Sequence, residues 1–240
     1  MNGNVFDALK LDRVFALCYS GYPERLGPLF SELDRVGLTG IYDKVYTHKS
    51  VFDRVILNSI PHKGKLDKQP GHFNAALGHY GILKTALALG FRRIMVVEDD
   101  CRFLLDKSAI VSTVSKAPDK WDALAMDAFE WRGENSGVWS PCGFWRSAAC
   151  VCFGKRMMER LVACIESCVA PGERKGLMRN FDAYFDSGLV GNDMEMYRAS
   201  PNVAIQCDPP GEAMTTDVSQ KYLALGINVS DYAKFEGVRP

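Results

Sequence analysis

The chain has no long apolar run, no surplus of charge and no paired-cysteine motif, and each lack closes off a class of protein. No apolar stretch in the 240 residues approaches the roughly 18 that a helix needs to cross a bilayer. The opening, MNGNVFDALKLDR, contains no apolar h-region, so no signal peptide is expected and the cytoplasm is the expected location. Peripheral contact with a membrane surface stays compatible with such a chain. Lys plus Arg number 29 and Asp plus Glu number 29, a formal net charge of zero, which argues against binding nucleic acid through bulk positive charge. It leaves room for one small anionic ligand in a local pocket. None of the eight cysteines (Cys18, Cys101, Cys142, Cys150, Cys152, Cys164, Cys168 and Cys207) forms a C-x-x-C pair. Several lie among apolar residues, as in Ala149-Cys150-Val151-Cys152-Phe153, so reduced and mostly buried thiols are expected in place of a disulfide framework. Repeats, low-complexity tracts, linkers and a glycine-rich phosphate loop of the P-loop type are all missing.

What is present is the profile of a globular protein, 47% apolar and 24% charged and long enough to bury a real core. Val14 to Leu17 reads as a buried strand, followed by a turn at Ser20-Gly21-Tyr22-Pro23. Leu26, Leu29, Phe30 and Leu33 recur at helical spacing, with Gly37 as the stop and Ile41 to Tyr46 as a second strand. Residues 58 to 72 read as a polar loop. A helix is predicted from about Phe73 to Gly90, with Gly78 and Gly81 inside it for close packing against another element. Strands follow at Ile94 to Val97, Ala123 to Met126 and Ala148 to Phe153, then a helix through Met157, Leu161, Ile165 and Cys168 and an exposed turn at Pro171 to Gly176. A further helix is expected to begin over Phe181 to Phe185, and the last thirty-odd residues read as a tail wrapped over the body. Alternating strands and helices argue for an α/β layer structure, whose ligands bind outside the carboxyl ends of the strands.

One such end is conspicuous. Ile94-Met95-Val96-Val97 runs straight into Glu98-Asp99-Asp100. Three adjacent carboxylates repel one another, and they rest easily only in water or around a cation. Mg²⁺ and Mn²⁺ are held by one or two carboxylates together with substrate phosphates, so a strand end that aims such oxygens is a candidate metal and diphosphate site. The plain alternative is a solvated acidic turn paired with Arg92 or Arg93.

The block from Gly71 to Phe103, GHFNAALGHYGILKTALALGFRRIMVVEDDCRF, resembles the signature of glycosyltransferase family 25, typified by lipopolysaccharide-type galactosyl- and glucosyltransferases. The matching residues are Gly71, Ala76-Leu77-Gly78-His79, Leu83 to Gly90 and Val96 to Asp100, with Gly78 where the family has Ser. Phe15 to Arg25 looks like the family's opening strand, with Cys18-Tyr19-Ser20 replacing Asn-Leu-Asp. Looser likenesses lie at Ala148 to Phe153, Asn180 to Tyr184, Pro201 to Gln206 and Thr216-Asp217-Val218.

The resemblance implies a GT-A-like α/β fold, a mixed central sheet flanked by helices, in a single domain over residues 1–240. Its nucleotide-binding half would be about 1–105 and its acceptor-binding half about 106–240. It implies a hexose moved from a UDP-sugar to a glycan or other hydroxyl acceptor, with inversion, using Mn²⁺ or Mg²⁺. Asp100 and Glu98 are then the candidate metal ligands, with Glu98 and Asp99 near the ribose. Tyr19, Arg25 and His79 join them on the donor side, Arg25 toward a phosphate and His79 toward the donor or in support of the acid loop. His72 with His79 is a weaker metal alternative, and Lys63, Lys65 and Lys68 are candidates to attract a diphosphate. Asp182 is the candidate general base, with Asp127 and Glu130 as rivals, and Trp131, Trp139 and Trp145 are candidates for a sugar-stacking wall. Two other readings stand beside this one: a Mg²⁺-dependent nucleotidyltransferase or phosphohydrolase, and a non-catalytic nucleotide-sugar-binding protein, which the departures at Cys18-Tyr19-Ser20 and Gly78 motivate.

Overall fold

A computed structural model describes residues 4–19, 23–47, 70–169, 181–185, 187–207 and 216–227; for 70–74, 168–169, 182–183, 187–188 and 216–219 it describes the backbone alone. The expected loop with Lys63, Lys65 and Lys68, the turns at Ser20-Gly21-Tyr22 and Pro171 to Gly176, and the His72 and Asp182 side chains lie outside the described residues.

The chain runs α1 (Val5–Leu9), β1 (Arg13–Tyr19), a 3-10 turn (Pro23–Arg25), α2 (Leu26–Arg35), β2 (Tyr42–Thr47), α3 (Pro70–Ala88), β3 (Arg93–Glu98) and β4 (Cys101–Phe103). It continues through α4 (Lys107–Val114), β5 (Ala123–Ala125), β6 (Glu130–Arg132), β7 (Trp139–Pro141), β8 (Phe144–Arg146), β9 (Cys150–Gly154) and α5 (Lys155–Val169). A second 3-10 turn (Phe181–Tyr184), α6 (Ser187–Val190), β10 (Met196–Ala199), β11 (Ala204–Gln206) and α7 (Thr216–Ala224) complete it.

Seven strands form one mixed sheet in the order β2-β1-β3-β9-β5-β10-β7. β1 is parallel to both β2 and β3, β10 is parallel to β5, and β9 and β7 run against their neighbours. The expected mixed α/β architecture is therefore present. β1 and β3 are buried on both faces, which is why RVFALCY and RIMVVE read as unbroken apolar runs. Their alternate residues feed two cores. Phe15, Leu17, Ile94 and Val96 pack under α3 and α5 with Leu83, Met157 and Leu161, while Val14, Ala16, Met95 and Val97 face Leu29, Leu33 and Ile110 of α2 and α4. Leu29 and Leu33 are wholly buried, and each contributes roughly 2 kcal/mol through the area it removes from water.

The two glycine stops are realised as Schellman caps. Gly37 (φ 82°) and Gly90 (φ 76°) take the left-handed conformation, and Leu38 N–H and Phe91 N–H reach back to the carbonyls of Leu33 and Ala86. Gly81 is different: a Cβ built there meets nothing within 4 Å, so close packing is not its explanation. The long helix begins at Pro70, three residues before the expected Phe73. Phe181 to Phe185 forms only a 3-10 turn, and the supposed irregular tail contains α7, whose Tyr222 is wholly buried. The seven described cysteines are free thiols, six of them buried. Among the described residues no helix is long and apolar enough to cross a membrane.

Candidate active site

Leaving β1, the chain builds β2 on one side and β3 on the other, so the strand order reverses at β1. In open α/β sheets the crevice outside the carboxyl ends of such strands is where ligands bind. Tyr19 ends β1, Glu98 ends β3, and Asp99 and Asp100 form the turn into β4. The turn is pinned from outside: β4 pairs with β11, and Cys207 N–H donates to the Asp100 carbonyl at 2.7 Å.

The acids do not form a solvated turn, because Asp99 is 4% and Asp100 7% exposed. Nor do they pair with the neighbouring arginines. Arg93 stacks on Trp121 and donates to the Leu9 and Asp119 carbonyls. Asp99 instead accepts the Tyr19 backbone N–H at 2.6 Å and Arg25 Nη1 at 3.2 Å. Arg25, expected to face a phosphate, thus grips Asp99. Asp100 Oδ2 accepts Gln206 Nε2 at 3.0 Å and lies 4.0 Å from Arg25 Nη1. Asp100 Oδ1 is buried and accepts nothing.

Burial, and then the neighbouring Asp100 charge, push the Asp99 carboxyl up to about 7, against the pull of the Tyr19 N–H and Arg25. Burial raises Asp100 too, opposed by Arg25, Gln206 and Arg102. A buried carboxyl pair with one acceptor oxygen unused fits a divalent cation, which would supply the missing charge and the missing partner. Among the described residues no three His, Cys, Asp or Glu side chains converge to hold an ion alone, so an ion here would take further oxygens from its ligand, as Mg²⁺ does with diphosphates.

His79 and Glu98 form one unit. His79 Nε2 lies 2.7 Å from Glu98 Oε1, and the ring stacks on Phe181 with centroids 4.0 Å apart. Burial drives the imidazole down to about 3, so at neutral pH it is uncharged and donates its Nε2 proton to the carboxylate. His79 has no exposed surface and stands behind the acid loop, against Glu98.

The rivals for general base separate clearly. Asp127 is wholly buried beyond the end of β5 and accepts Ser147 Oγ, Cys150 N–H at 3.2 Å and Tyr222 Oη at 3.4 Å. Burial pushes it up to about 7. Glu130 sits on the surface, paired with Lys221 and Arg146. The three tryptophans do not form a wall. Trp145 lies in the core against Phe185, Trp139 lies in the opposite core donating to the Thr113 carbonyl, and only Trp131 keeps partial exposure.

Sequence reasoning missed a hydrogen-bonded support behind the acids. Gln206 holds Asp100, its backbone N–H donates to Tyr222 Oη at 3.0 Å, and Tyr222 donates to Asp127. The Pro201 to Gln206 likeness brought Gln206 into view but gave it no role. Nothing in the sequence marked Tyr222 or Ser147.

No family profile matches the chain, and no curated protein matches its sequence. Solved structures offer remote likenesses. A glycosyltransferase involved in the glycosylation of the major capsid of PBCV-1 aligns over 90% of this chain and 100% of its own, with 7% identity and a TM-score of 0.46. The mannosyltransferase PcManGT from Pyrobaculum calidifontis, in complex with GDP-Man and Mn²⁺, aligns over 98% of this chain and 71% of its own, with 11% identity and a TM-score of 0.44. A mannose-1-phosphate geranyltransferase from Thermus thermophilus aligns over 78% and 73%, with 14% identity and a TM-score of 0.39. Likenesses this remote carry no conclusion about chemistry. They do not single out family 25 or lipopolysaccharide substrates, and that expectation rests on the sequence resemblance, of which Gly71 to Phe103 is the specific part.

Proposed function

We propose that the protein is a cytoplasmic, divalent-metal-dependent glycosyltransferase that moves a hexose from a UDP-sugar to a hydroxyl acceptor, a glycan or glycoconjugate, with inversion. One observation supports it above the others: Asp99 and Asp100 stand where the strand order reverses, and Asp100 keeps a buried, unpartnered oxygen. The sugar and its uridine carrier come from the sequence resemblance. Residues 1–105 would form the donor side and 106–240 the acceptor side of one domain.

In this reading Asp100, aided by Glu98, would hold Mn²⁺ or Mg²⁺. When bound there, such an ion would supply Lewis-acid neutralisation of charge on the departing diphosphate. Asp99 is locked by Tyr19 and Arg25 and gives the turn its shape. His79 fixes the orientation of Glu98. The acceptor hydroxyl needs a base on the face opposite the leaving group, which takes its proton as the oxygen attacks the anomeric carbon. Asp182 is our choice. Its neighbour Phe181 stacks on His79, which carries the Asp182 backbone toward the acid loop, whereas Asp127 is sealed in the interior.

The test is turnover and binding of UDP-, GDP- and CMP-sugars with and without Mn²⁺. Metal-dependent hydrolysis or transfer of a UDP-sugar, lost in Asp100→Ala with the fold intact, is expected. Asp182→Asn should keep donor binding and lose transfer by at least 100-fold. If no nucleotide sugar is bound or turned over with Mn²⁺, the proposal is wrong; phosphate or pyrophosphate release without sugar transfer would point to a nucleotidyltransferase or phosphohydrolase instead.

A further inference from the structure

Arg198 lies on β10, paired across to Ala125 of β5 and Ser140 of β7, and is 3% exposed. Its guanidinium lies 3.6 Å from the centroid of the Trp131 ring. Nη1 donates to the Ala199 carbonyl at 3.3 Å, but Nε and Nη2 are buried with no acceptor. A guanidinium does not shed its proton, so this is a buried charge with two idle donors, a costly arrangement for a fold to keep. Among the described residues no carboxylate offsets it. The ionisable group acting on it is Cys142, whose thiol burial pushes up to about 12 and so leaves neutral.

The idle edge has a definite shape. Nε–H and Nη2–H point side by side, and elsewhere in this chain the same edge grips a carboxylate with two bonds. Arg13 holds Asp43 at 2.6 and 2.7 Å, and Arg35 holds Glu32 at 3.0 and 2.8 Å. What Arg198 lacks is the matching anion with two oxygens in one plane.

Its place in the sheet says where that anion would come from. Arg198 is level with Ala125, which pairs with Val151, which pairs with Val96. Met196, two residues before Arg198, shares one core with Val96, Val151 and Ala125, so by strand alternation Arg198 and Glu98 lie on the same face and toward the same end of the sheet. Three strand spacings across the sheet, roughly 14 Å, and two residues along it, roughly 7 Å, separate them, roughly 16 Å in all, about the span of a bound sugar and its acceptor beside a diphosphate.

We infer that Arg198 is an anion-recognition residue, whose Nε–Nη2 edge, held flat on Trp131, takes a carboxylate or phosphate carried by the acceptor. Assigning the anion to the acceptor rests on the transferase reading; the anion site itself does not. Because Arg198 is covered by the partly exposed Trp131 ring, the anion reaches it as that side chain swings aside, while Trp145 on the paired strand β8 stays anchored in the core against Phe185.

The probes are glucuronic acid, glucose and inorganic phosphate, titrated into the full chain while the arginine Nε–H resonances are followed by NMR. Glucuronate should shift one resonance that is missing from Arg198→Gln, and glucose should leave it in place. Silence toward both glucuronate and phosphate overturns the anion site. A response to phosphate with none to glucuronate overturns the acceptor assignment and leaves a free-anion site. Arg198→Met supplies a second reading, since removing an uncompensated charge should raise Tm by about 2–4 °C; a lowered Tm would make Arg198 a structural residue and overturn the inference. UDP with Mn²⁺, titrated in parallel, tests the transferase reading separately.

Discussion

Asp127→Asn probes the buried support behind the acid turn, and its effect can be worked out in size and sign. The Asp127 carboxyl is raised from 3.8 to about 7, chiefly by burial. In the unfolded chain it ionises near pH 4, while in the folded protein it holds its proton until about pH 7. The folded state therefore binds more protons across that window, so stability is full below pH 4 and falls as pH rises through about 7. Between pH 5 and pH 8 the wild type crosses about two units of the window, worth ~3 kcal/mol at 1.36 kcal/mol per unit. Asparagine cannot ionise and loses this slope; its one amide oxygen still accepts the Cys150 N–H, while its NH2 replaces Oδ2 and donates to Ser147 Oγ. Urea unfolding of both proteins at pH 5, 6, 7 and 8 should show their stability difference moving in favour of Asp127→Asn by ~3 kcal/mol between the extremes. Parallel pH profiles would refute the reasoning and place a solvated or compensated carboxylate at this position. If Asp127 were the general base, the same variant would also abolish transfer; as a sealed support residue it should leave donor binding in place.

Three further outcomes follow. His79→Ala removes a wholly buried ring stacked on Phe181, so a loss of about 2–4 kcal/mol in urea unfolding is expected, and an unchanged midpoint would mean that the ring braces nothing. Gln206→Leu takes away the side-chain donor on Asp100 and should weaken Mn²⁺ binding in the presence of UDP by roughly tenfold or more, measured calorimetrically. Gly81→Ala should stabilise α3 by about 0.5–1 kcal/mol, since the added Cβ meets open space; destabilisation would show that this glycine has a packing role after all.

Several features were legible because they obey a local rule. Strands buried on both faces read as apolar runs, so β1, β3 and β9 stand out in the sequence. Glycine at the end of an amphipathic stretch reads as a stop, and Gly37 and Gly90 are stops. Three-residue strands such as β6, β7 and β8 are too short to show a period, and β10 escapes because MYRA carries an arginine inward, where a strand pattern expects an apolar residue. Gly81 shows the opposite fault, a tertiary reason expected where the space is open.

The sequence by itself determined that acids would stand at the mouth of a buried strand, because a run of apolar residues must end at the sheet edge and whatever follows it is delivered there. It determined too that His79 would lie on a helix close behind that strand in the chain. Only the tertiary structure decided what each acid became. Long-range pairing put Arg25 and the Tyr19 N–H on Asp99, Gln206 on Asp100 and His79 on Glu98, so that three adjacent carboxyls came to differ in their partners. The same packing sealed Asp127 and stranded the edge of Arg198. Burial and hydrogen-bond partners set the behaviour of a charged group, and both come from residues distant in the chain, where no local pattern records them.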